Sequence, residues 1–312
     1  MPCLPAHPTV VPGNGEIALA TPGHSARDPA DFLREALGRA GLVAPEAAWT
    51  ALAGGRTNAI WRIDAAPHPL VCKLFRENGG TPLFPNQPKA EIAALRALDG
   101  SGIAPRFVAV AETALGICLI YRHVAGRPWR RDGALAGRLL ARLHSRTPPK
   151  GLRRILSGSD ALRRQGQRIL DGCASPQAER LRNLCPEARS CPEGQATFLH
   201  GDAVPANIIC SRKSAVLIDW QCPGRGDPCE DLFTFLSPAM QRLYGPGPLP
   251  ADEERAFLAA YANPAVAERL ACLRPLLHWR MAAHCLWKAE RGDADYREGM
   301  ELEIEALARA MA

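Results

Sequence analysis

The sequence predicts an α+β protein in which a small sheet-forming region comes first and a larger, mostly helical region follows. Two observations carry this prediction. In the first third of the chain, apolar residues form short alternating runs around one helical segment, whereas from about residue 127 they recur at helical spacing. A predicted β-hairpin at 207–219 interrupts the helical part. We therefore divide the chain into a flexible N-terminal extension at 1–27, a sheet domain at 28–124 and a helical domain at 125–312.

The composition is that of a soluble globular protein and excludes several classes. The chain has 312 residues, of which 47% are hydrophobic, and no apolar run approaches the roughly 20 residues of a membrane-spanning helix. A net charge of +6 over this length does not indicate nucleic-acid binding. The 11 cysteines are odd in number, scattered and without a CxxC pair, which favours free thiols over disulfides or a structural metal. Without a secretory signal at its start, the chain is predicted to be cytoplasmic. Its oligomeric state is left open.

The predicted elements of the first region follow from caps, alternation and turn residues. Residues 1–27 are rich in proline and glycine, which favours an extension without regular structure. Asp28 followed by Pro29 is typical of a helix start. The predicted elements are that helix to about Gly41, a strand around Trp61 and Ile63, a strand from Leu70 to Phe75, a helix at 88–99, and strands at 106–110 and 116–121.

The second region reads as helices with one hairpin. Asp132 is a candidate cap for a helix that carries leucines at i, i+4 and i+8. Asp227 and Glu230 have the spacing of a capping box that opens another helix. From Pro228 onward we predict helices broken at 246–250, at Pro264 and at Pro275.

The strongest chemical signal is the segment His200-Gly201-Asp202-Ala203-Val204-Pro205-Ala206-Asn207, followed by the apolar run that ends at Asp219. If the hairpin pairs Cys210 with Ala215, Asn207 and Asp219 lie side by side at its open end. An amide oxygen and a carboxylate are hard ligands suited to Mg²⁺, and Asp202 is placed to accept a proton from a hydroxyl. Each residue alone also fits a turn or a cap, but the combined spacing is typical of phosphoryl transfer.

A second candidate pair lies in the sheet domain. Lys73 shares a strand face with Val71 and Phe75, and a lysine on an apolar face needs an anionic partner. Glu91 lies on the apolar stripe of the predicted helix at 88–99. The pattern predicts an inward ion pair whose lysine meets nucleotide phosphates. A lysine at a sheet edge and an exposed glutamate are the alternative.

A glycine-containing loop joins two of the predicted strands. Gly54 and Gly55 allow a ligand to approach the backbone closely, and Thr57 and Asn58 add hydrogen-bond donors. The loop lacks the spacing of the common phosphate-binding motifs, so an ordinary hairpin turn remains an alternative.

These motifs resemble the aminoglycoside phosphotransferase and choline kinase superfamily. The resemblance rests on HGDxxPxN, the strand that ends in IDW and the following GDPxxDL, and it covers roughly residues 28–312. The loop GGRTN, Lys73, Glu91 and the helix end at Leu143-His144 match in the same order, and the loop is most similar to the choline and thiamine kinase-like branches. Gln221 departs from the pattern, because related sequences often carry an acidic residue there.

The resemblance implies a protein-kinase-like, two-lobed fold with ATP bound between the lobes and Mg²⁺ as the metal. It implies that Asp202 is the catalytic base, that Lys73 binds phosphate with Glu91 as its partner, and that Asp231 braces the catalytic loop. The implied metal ligands are Asn207 and Asp219, and the implied nucleotide-binding residues besides Lys73 and Glu91 are Gly54, Gly55, Thr57, Asn58 and the hinge residues Tyr121, His123 and Val124.

The acceptor is predicted only as a small molecule with a hydroxyl group. We favour an amino alcohol of the choline or ethanolamine type, and thiamine-like compounds and aminoglycosides are the alternatives within the class. Trp279 and Trp287 lie near one helix face and belong either to the core or to a pocket for a cation. Residues 127–189 hold 15 basic and five acidic residues. This excess of positive charge predicts either a solvated basic face or a region that attracts an anionic substrate. A nucleotide-binding pseudokinase that regulates a partner is the alternative from another class, and a protein-serine kinase is the third.

Overall fold

The chain separates into two compact units whose border lies at Val124 and Ala125. In this computed structural model, the structure describes residues 16–18, 28–52, 57–76, 79–187, 190–212 and 214–312. The first unit takes in Met1–Thr81 and Pro85–Val124, and the second takes in Pro82–Phe84 and Ala125–Ala312.

The first unit is built on one sheet with a helix on each side. Its elements are β1 (Glu16–Ala18), α1 (Pro29–Arg39), β2 (Trp49–Ala51), β3 (Ala59–Ile63), β4 (Leu70–Leu74), α2 (Pro88–Ala97), β5 (Phe107–Thr113) and β6 (Gly116–Arg122). The six strands found among the described residues are ordered β1-β5-β6-β4-β3-β2. All neighbouring pairs are antiparallel except β1, which runs parallel to β5. The strand β1 lies inside the segment expected as an extension, of which 1–15 and 19–27 are outside the described residues.

Both faces of β4 are covered, and this explains its run of buried residues. Successive side chains of a strand point to opposite faces. Leu70, Cys72 and Leu74 belong to one apolar cluster with Leu33 and Leu37 of α1. The residues between them point the other way, where Lys73 reaches Glu91 of α2. The sheet therefore places an apolar core on one side and a buried charge on the other.

The second unit is mostly helical and carries two small sheets. Its elements are β7 (Arg127–Pro128), α3 (Gly133–His144), β8 (Arg153–Ile155), α4 (Ser159–Asp171), α5 (Pro176–Asn183), β9 (Thr197–Leu199), a 3-10 turn (Pro205–Asn207), β10 (Ile208–Cys210), β11 (Ala215–Leu217), β12 (Gly224–Gly226), α6 (Cys229–Leu236), α7 (Pro238–Tyr244), α8 (Ala251–Tyr261), α9 (Pro264–Ala289) and α10 (Tyr296–Met311). The sheets have the strand orders β11-β10-β7 and β8-β12-β9.

Helix α9 forms the centre of the second unit and corrects one prediction. We expected a break at Pro275, but the helix runs through it for 26 residues. Proline removes one backbone hydrogen bond and costs roughly 3 kcal/mol inside a helix. On either side of it, Leu273, Leu276 and Leu277 are fully buried, and the burial of this apolar surface offsets the loss. The predicted break at Pro264 is confirmed, because α8 ends at Tyr261 and α9 begins at Pro264.

The predicted helix caps at Asp28 and Asp132 are confirmed. The Asp28 side chain accepts a hydrogen bond from the N–H of Ala30, and that of Asp132 accepts one from the N–H of Leu135. No helix in the described part of the chain is long and apolar enough to cross a membrane. The ten cysteines within the described ranges are all free thiols.

Candidate active site

The hairpin that carries the candidate metal ligands has the register expected from its sequence. Cys210 pairs with Ala215 and Ile208 with Leu217. Asn207, at the end of the 3-10 turn, lies just before β10, and its carbonyl accepts a hydrogen bond of 2.8 Å from the N–H of Ile218. Asp219 lies two residues after the end of β11 and has a left-handed backbone with φ of 60°. The pairing therefore brings the backbone of Asn207 beside the residue that precedes Asp219.

Asp202 and Asn207 form one hydrogen-bonded unit. The amide Nδ2 of Asn207 donates to the carbonyl of Asp202 at 2.9 Å and to its carboxylate Oδ2 at 3.2 Å. Tight turns shorten the intervening chain, with the N–H of Val204 bonded to Asp202 and that of Asn207 to Val204. Asn207 is buried, whereas the Asp202 side chain is half-buried. Because Nδ2 is engaged, the remaining polar atom of the amide is Oδ1.

Asp231 holds the loop in front of Asp202. Its Oδ2 accepts hydrogen bonds from the N–H of His200 at 2.7 Å and from His144 Nε2 at 3.1 Å, and its Oδ1 accepts one from the N–H of Gly201 at 2.8 Å. Burial by itself raises the pKa of Asp231, but the hydrogen bond from His144 and the charges of His144 and His200 lower the pKa below its usual value. This fully buried carboxylate stays ionised and fixes two consecutive amides, as the predicted bracing role requires.

His200 is a structural part of the loop. Its Nδ1 accepts a hydrogen bond from the N–H of Asp202, and its Nε2 donates to the carbonyl of Ile218 at 3.0 Å. Burial lowers the pKa of His200, so the ring is neutral and carries its proton on Nε2. The ring thus ties the loop before Asp202 to the strand before Asp219. The expectation that His200 shapes the loop through hydrogen bonds agrees with these contacts.

Gly201 is the one position of this loop where glycine is required by both backbone and packing. Its φ is +80°, and a Cβ on it would overlap the carbonyl oxygen of Cys222. The charges of Asp202 and Asp219 both act on the buried thiol of Cys222, whose pKa is raised by burial first and by these carboxylates second. The two aspartates therefore share one neighbourhood, as the sequence predicted.

Lys73 and Glu91 form the predicted inward ion pair. The distance from Nζ to Oε2 is 2.6 Å, and the two side chains are 0% and 1% exposed. The ammonium also lies 5.1 Å from the centre of the Phe75 ring, which adds a cation–π contact. The alternative of an exposed edge lysine is wrong, because β6 covers β4 on its other edge.

The glycine loop is only partly described. Gly54 and Gly55 lie outside the described residues. Thr57 is half-buried, and Asn58 is buried with its amide bonded to Asn86 and to the N–H of Arg76. These bonds hold Asn58 against the chain that follows β4. Its assignment to the nucleotide stays a prediction.

The predicted hinge begins inside β6. Tyr121 is buried and pairs with Val71 of β4. The N–H of His123 donates to the carbonyl of Pro69 at 2.9 Å, so this amide is already used. Burial lowers the pKa of His123. Val124, where the first unit ends, has an N–H with no hydrogen-bond partner among the described residues. Its assignment to the nucleotide stays a prediction.

Other predictions require correction or are decided by the structure. Glu230 does not complete a capping box with Asp227, because its carboxylate is bound by both terminal nitrogens of Arg280, at 3.0 and 2.7 Å. The Asp227 side chain does accept from the N–H of Cys229. Trp279 is fully buried and donates to the carbonyl of Leu181, so it belongs to the core.

Sequence reasoning missed the arginines around the loop. Arg280 and Arg153 lie near Gly201, but neither forms part of a recognisable spacing in the chain. No group of three or more His, Cys, Asp or Glu side chains in the described ranges has the geometry of a metal site. The pair of Asn207 and Asp219 is not a group of this kind, because it contains a single carboxylate.

The comparisons with known proteins bear on this arrangement. The family model described as the phosphotransferase enzyme family matches residues 48–276, which is more than half of the chain. No curated protein matches the sequence. Among solved structures, a choline/ethanolamine kinase family protein from Mesorhizobium loti has a TM-score of 0.60 and 18% identity, with 90% of this chain and 93% of that chain covered.

Two antibiotic-modifying enzymes are similar in fold. The gentamicin complex of APH(2")-IIa has a TM-score of 0.63 and 15% identity, covering 91% of this chain and 97% of that one. Spectinomycin phosphotransferase in complex with ADP and spectinomycin has a TM-score of 0.53 and 12% identity, covering 85% and 92%. At these identities the likeness shows the protein-kinase-like fold. On the match of the family model over both units, the chain belongs to the phosphotransferase enzyme family.

Proposed function

We propose that this phosphotransferase uses ATP and Mg²⁺ to transfer the γ-phosphoryl group to a hydroxyl group of a small acceptor. The observation that carries the proposal is the hydrogen-bonded unit of Asp202 and Asn207, held in register with Asp219 by the hairpin. Phosphoryl transfer needs positioning and charge neutralisation more than covalent chemistry, and these three side chains supply both.

Asp202 is the proposed catalytic base. Its Oδ2 accepts a hydrogen bond of 3.2 Å from Asn207, which fixes the carboxylate that is proposed to accept the proton of the acceptor hydroxyl. The fixed amides of His200 and Gly201 hold the backbone before it, so its position does not depend on the substrate. This preorganisation supports a role in orienting the attacking oxygen.

Asn207 and Asp219 are the proposed ligands of Mg²⁺. The donor set fits this ion, since an amide oxygen and a carboxylate are hard ligands and Mg²⁺ keeps its other positions for water and phosphate. The engagement of Asn207 Nδ2 by Asp202 directs Oδ1 away from that carboxylate, which supports the same assignment. When bound, the metal neutralises the charge of the phosphates.

Lys73 is the proposed phosphate-binding residue, with Glu91 as its partner. Its ammonium is fixed by the 2.6 Å ion pair within the first unit. Gly54, Gly55, Thr57 and Asn58 are proposed as the nucleotide loop, and Tyr121, His123 and Val124 as the hinge. For nucleotide use, the ADP complex of spectinomycin phosphotransferase adds support.

The acceptor is proposed as a small molecule with a hydroxyl group. Similar structures include a choline/ethanolamine kinase family protein and an enzyme bound to gentamicin. Amino alcohols are therefore the first class to test, with thiamine-like compounds and aminoglycosides next. All of these compounds carry positive charge, so the charges of the side chains around the catalytic loop affect which acceptor can bind.

The test is ADP release measured across a panel of hydroxyl acceptors. We expect an acceptor that raises the rate in wild-type protein, and a loss of about 10²- to 10⁴-fold in Asp202→Asn, which keeps the shape but removes the base. Asp252→Asn makes the same chemical change at an exposed position of α8 and is the matched control. An Asp202→Asn variant as active as Asp252→Asn would contradict the proposal.

A regulatory pseudokinase is the alternative from another class. It would bind a nucleotide without turnover on any acceptor of the panel. The presence of Lys73, Asp202, Asn207 and Asp219 together argues against it, because each has the chemistry that turnover requires.

A further inference from the structure

A cavity of about 250 Å³ lies in the second unit, against the loop that carries Asp202. Gly201, the residue immediately before Asp202, contributes to its wall, as does Asp231. The remaining wall comes from β8, α4, α6, α9 and the segment Pro82–Phe84. All of these elements belong to the second unit. A molecule in this cavity is therefore adjacent to the proposed catalytic base.

Four arginines line this cavity against two carboxylates. The arginines are Arg153, Arg154, Arg168 and Arg280, and the carboxylates are Glu230 and Asp231. The excess of arginines favours an anionic ligand only if some of them are not already paired with other groups of the protein, because paired charges in the wall offer little to a ligand.

Both carboxylates are already used by the protein. Glu230 accepts two hydrogen bonds from Arg280, which is 3% exposed on its side chain and also donates to Gln165 at 2.6 Å. Asp231 accepts hydrogen bonds from His144 and from the amides of the catalytic loop. Neither acid is left to bind a cationic group.

Two of the arginines have no such neutralisation. No carboxylate in the described part of the chain forms an ion pair with Arg153 or Arg168, whereas Arg154 pairs with Glu193. One terminal nitrogen of Arg153 donates to the carbonyl of Cys222 at 3.2 Å, and its buried Nε has no hydrogen-bond partner among the described residues. Burial lowers the pKa of Arg153 and the charge of Arg280 acts in the same direction, whereas the charges of Glu230 and Asp231 raise that pKa without reversing the shift.

Arg153 is thus a partly desolvated cation beside the catalytic loop. Its terminal nitrogen lies 3.6 Å from the position that a Cβ on Gly201 would occupy. A partly buried guanidinium without an ion-paired carboxylate is unfavourable, and an anionic ligand with oxygen acceptors would relieve that cost. Arg168, exposed at the end of α4, adds a second positive charge to the same wall.

We propose that this cavity is the acceptor site and that it takes a hydroxyl compound bearing an anionic group, a carboxylate or a phosphate. The proposal rests on the proposed phosphoryl transfer by Asp202 and narrows its acceptor. It departs from the amino alcohol favoured by the sequence, since a simple choline-like cation would meet Arg153 and Arg168 with no free carboxylate. The single aromatic side chain in the described wall is Phe84, so a cage of aromatic rings for a cation is also missing.

The first arm of the test compares acceptors that differ by the anionic group. Serine is ethanolamine with an added carboxylate. Glycerate is glycerol with one terminal alcohol group replaced by a carboxylate, and glycerol 3-phosphate is glycerol with one terminal hydroxyl phosphorylated. Rates of ADP release give kcat/KM for each. We expect the anionic member of each pair to be preferred by about tenfold or more, as charge-assisted hydrogen bonds provide. The glycerate and glycerol 3-phosphate arms distinguish carboxylate from phosphate.

The second arm measures binding without turnover. Calorimetry with glycerate and with glycerol 3-phosphate is done with a saturating non-hydrolysable ATP analogue and Mg²⁺, so that the nucleotide's own phosphate sites are filled. We expect Arg153→Gln and Arg168→Gln each to weaken the Kd of the preferred anion by about tenfold. Arg255→Gln removes the same charge from an exposed position of α8 outside the cavity and is the matched control. Arg168 is exposed, so its variant stays informative if Arg153→Gln is unstable.

The outcomes separate the two proposals. A preference for ethanolamine or choline, or an anion affinity equal in Arg168→Gln and Arg255→Gln, would overturn the anionic acceptor while phosphoryl transfer stands. Anion binding that depends on Arg153 and Arg168, without ADP release from any acceptor, would support the anionic site and count against the proposed function.

Discussion

At the scale of single residues, a buried charged side chain is tolerated only when an oppositely charged group is paired with it. Lys73 has no exposed surface and its ammonium is bound to Glu91. Transfer of an isolated charge from water into a protein interior is strongly unfavourable, so each member of this pair is stable only with the other. The sequence indicated both members, because each is a charge on an otherwise apolar face.

A double-mutant cycle on this pair tests that dependence. We expect Glu91→Leu to lower the free energy of unfolding by about 3–5 kcal/mol, because it leaves an uncompensated buried ammonium. The double variant Lys73→Met with Glu91→Leu is expected to be more stable than Glu91→Leu alone. Urea unfolding followed by circular dichroism measures each corner. A double variant less stable than both single variants would contradict the expectation.

His284 makes stability depend on pH. Burial, together with the charges of Lys288 and Arg280, lowers the pKa of His284 to about 3. In the unfolded chain the pKa is about 6.5. The unfolded state therefore binds a proton that the folded state does not, and stability falls as the pH drops from about 6.5 to about 3, by up to about 1.4 kcal/mol per pH unit.

The His284→Phe variant is expected to lose this part of the pH dependence. The ring lies among Phe84, Trp287 and Tyr296, and its Nδ1 has no hydrogen-bond partner among the described residues. Urea midpoints at pH 7.0, 5.5 and 4.5 provide the measurement. His68→Phe, at an exposed position, is the control and should fall in stability as the wild type does. Identical slopes for His284→Phe and His68→Phe would count against the assignment.

At the scale of elements, helix contacts in the second unit depend on glycines that no periodicity marks. A Cβ on Gly166 of α4 would overlap the Trp279 ring of α9, and one on Gly137 of α3 would overlap the Phe257 carbonyl of α8. The helices approach closely at these points because glycine leaves room.

Two glycine-to-alanine substitutions test whether the packing between helices or the helix propensity of the residue determines stability at these positions. Gly166→Ala is expected to destabilise by about 1–3 kcal/mol through overpacking, although alanine favours the helix. Gly38→Ala, in α1, meets its nearest atoms at 3.8 Å and should stabilise by about 0.5–1 kcal/mol. Thermal unfolding of both variants gives the comparison, and a stabilised Gly166→Ala would show that α4 moves freely.

Local chemistry predicted the element boundaries where a cap decides them, and failed where tertiary packing overrides a local rule. Asp28 and Asp132 predict helix starts, and both side chains cap a helix in the structure. Pro275 announces a break, but buried leucines on both sides carry the helix through. Glu230 fits a capping box in the sequence and instead binds Arg280, a residue 50 positions away.

At the scale of the whole molecule, the fold class was predictable from the sequence and the cavity proposed as the acceptor site was not. The α+β order follows from the change in hydrophobic spacing along the chain, and the family follows from motifs whose chemistry depends on short spacings, such as Asp202 to Asn207. The cavity beside them is assembled from β8, α4, α6 and α9, which are distant in sequence. The excess of basic residues in 127–189 left an anionic substrate as one interpretation. Only the structure distinguishes the arginines that form ion pairs from Arg153 and Arg168.

The cysteines of the whole chain provide a test of the packing. Six of the described thiols are buried: Cys72, Cys118, Cys173, Cys222, Cys229 and Cys285. Burial also raises the pKa of Cys222 and Cys285, which lowers their reactivity. Titration with an aromatic disulfide at pH 7.5 should modify at most five thiols, the 11 of the chain less these six, until guanidinium exposes the others. Fast reaction of more than five in the native protein would contradict this packing.

Asp219 shows how the chain can drift once its chemistry is no longer selected. Its φ of 60° suits glycine better than aspartate, so an Asp219→Gly variant would relax the backbone while it discards a proposed metal ligand. A duplicated copy of this protein, freed from its reaction, would lose that carboxylate without any added backbone strain at this position. Fold alone would then remain a poor guide to whether such a descendant still transfers phosphate.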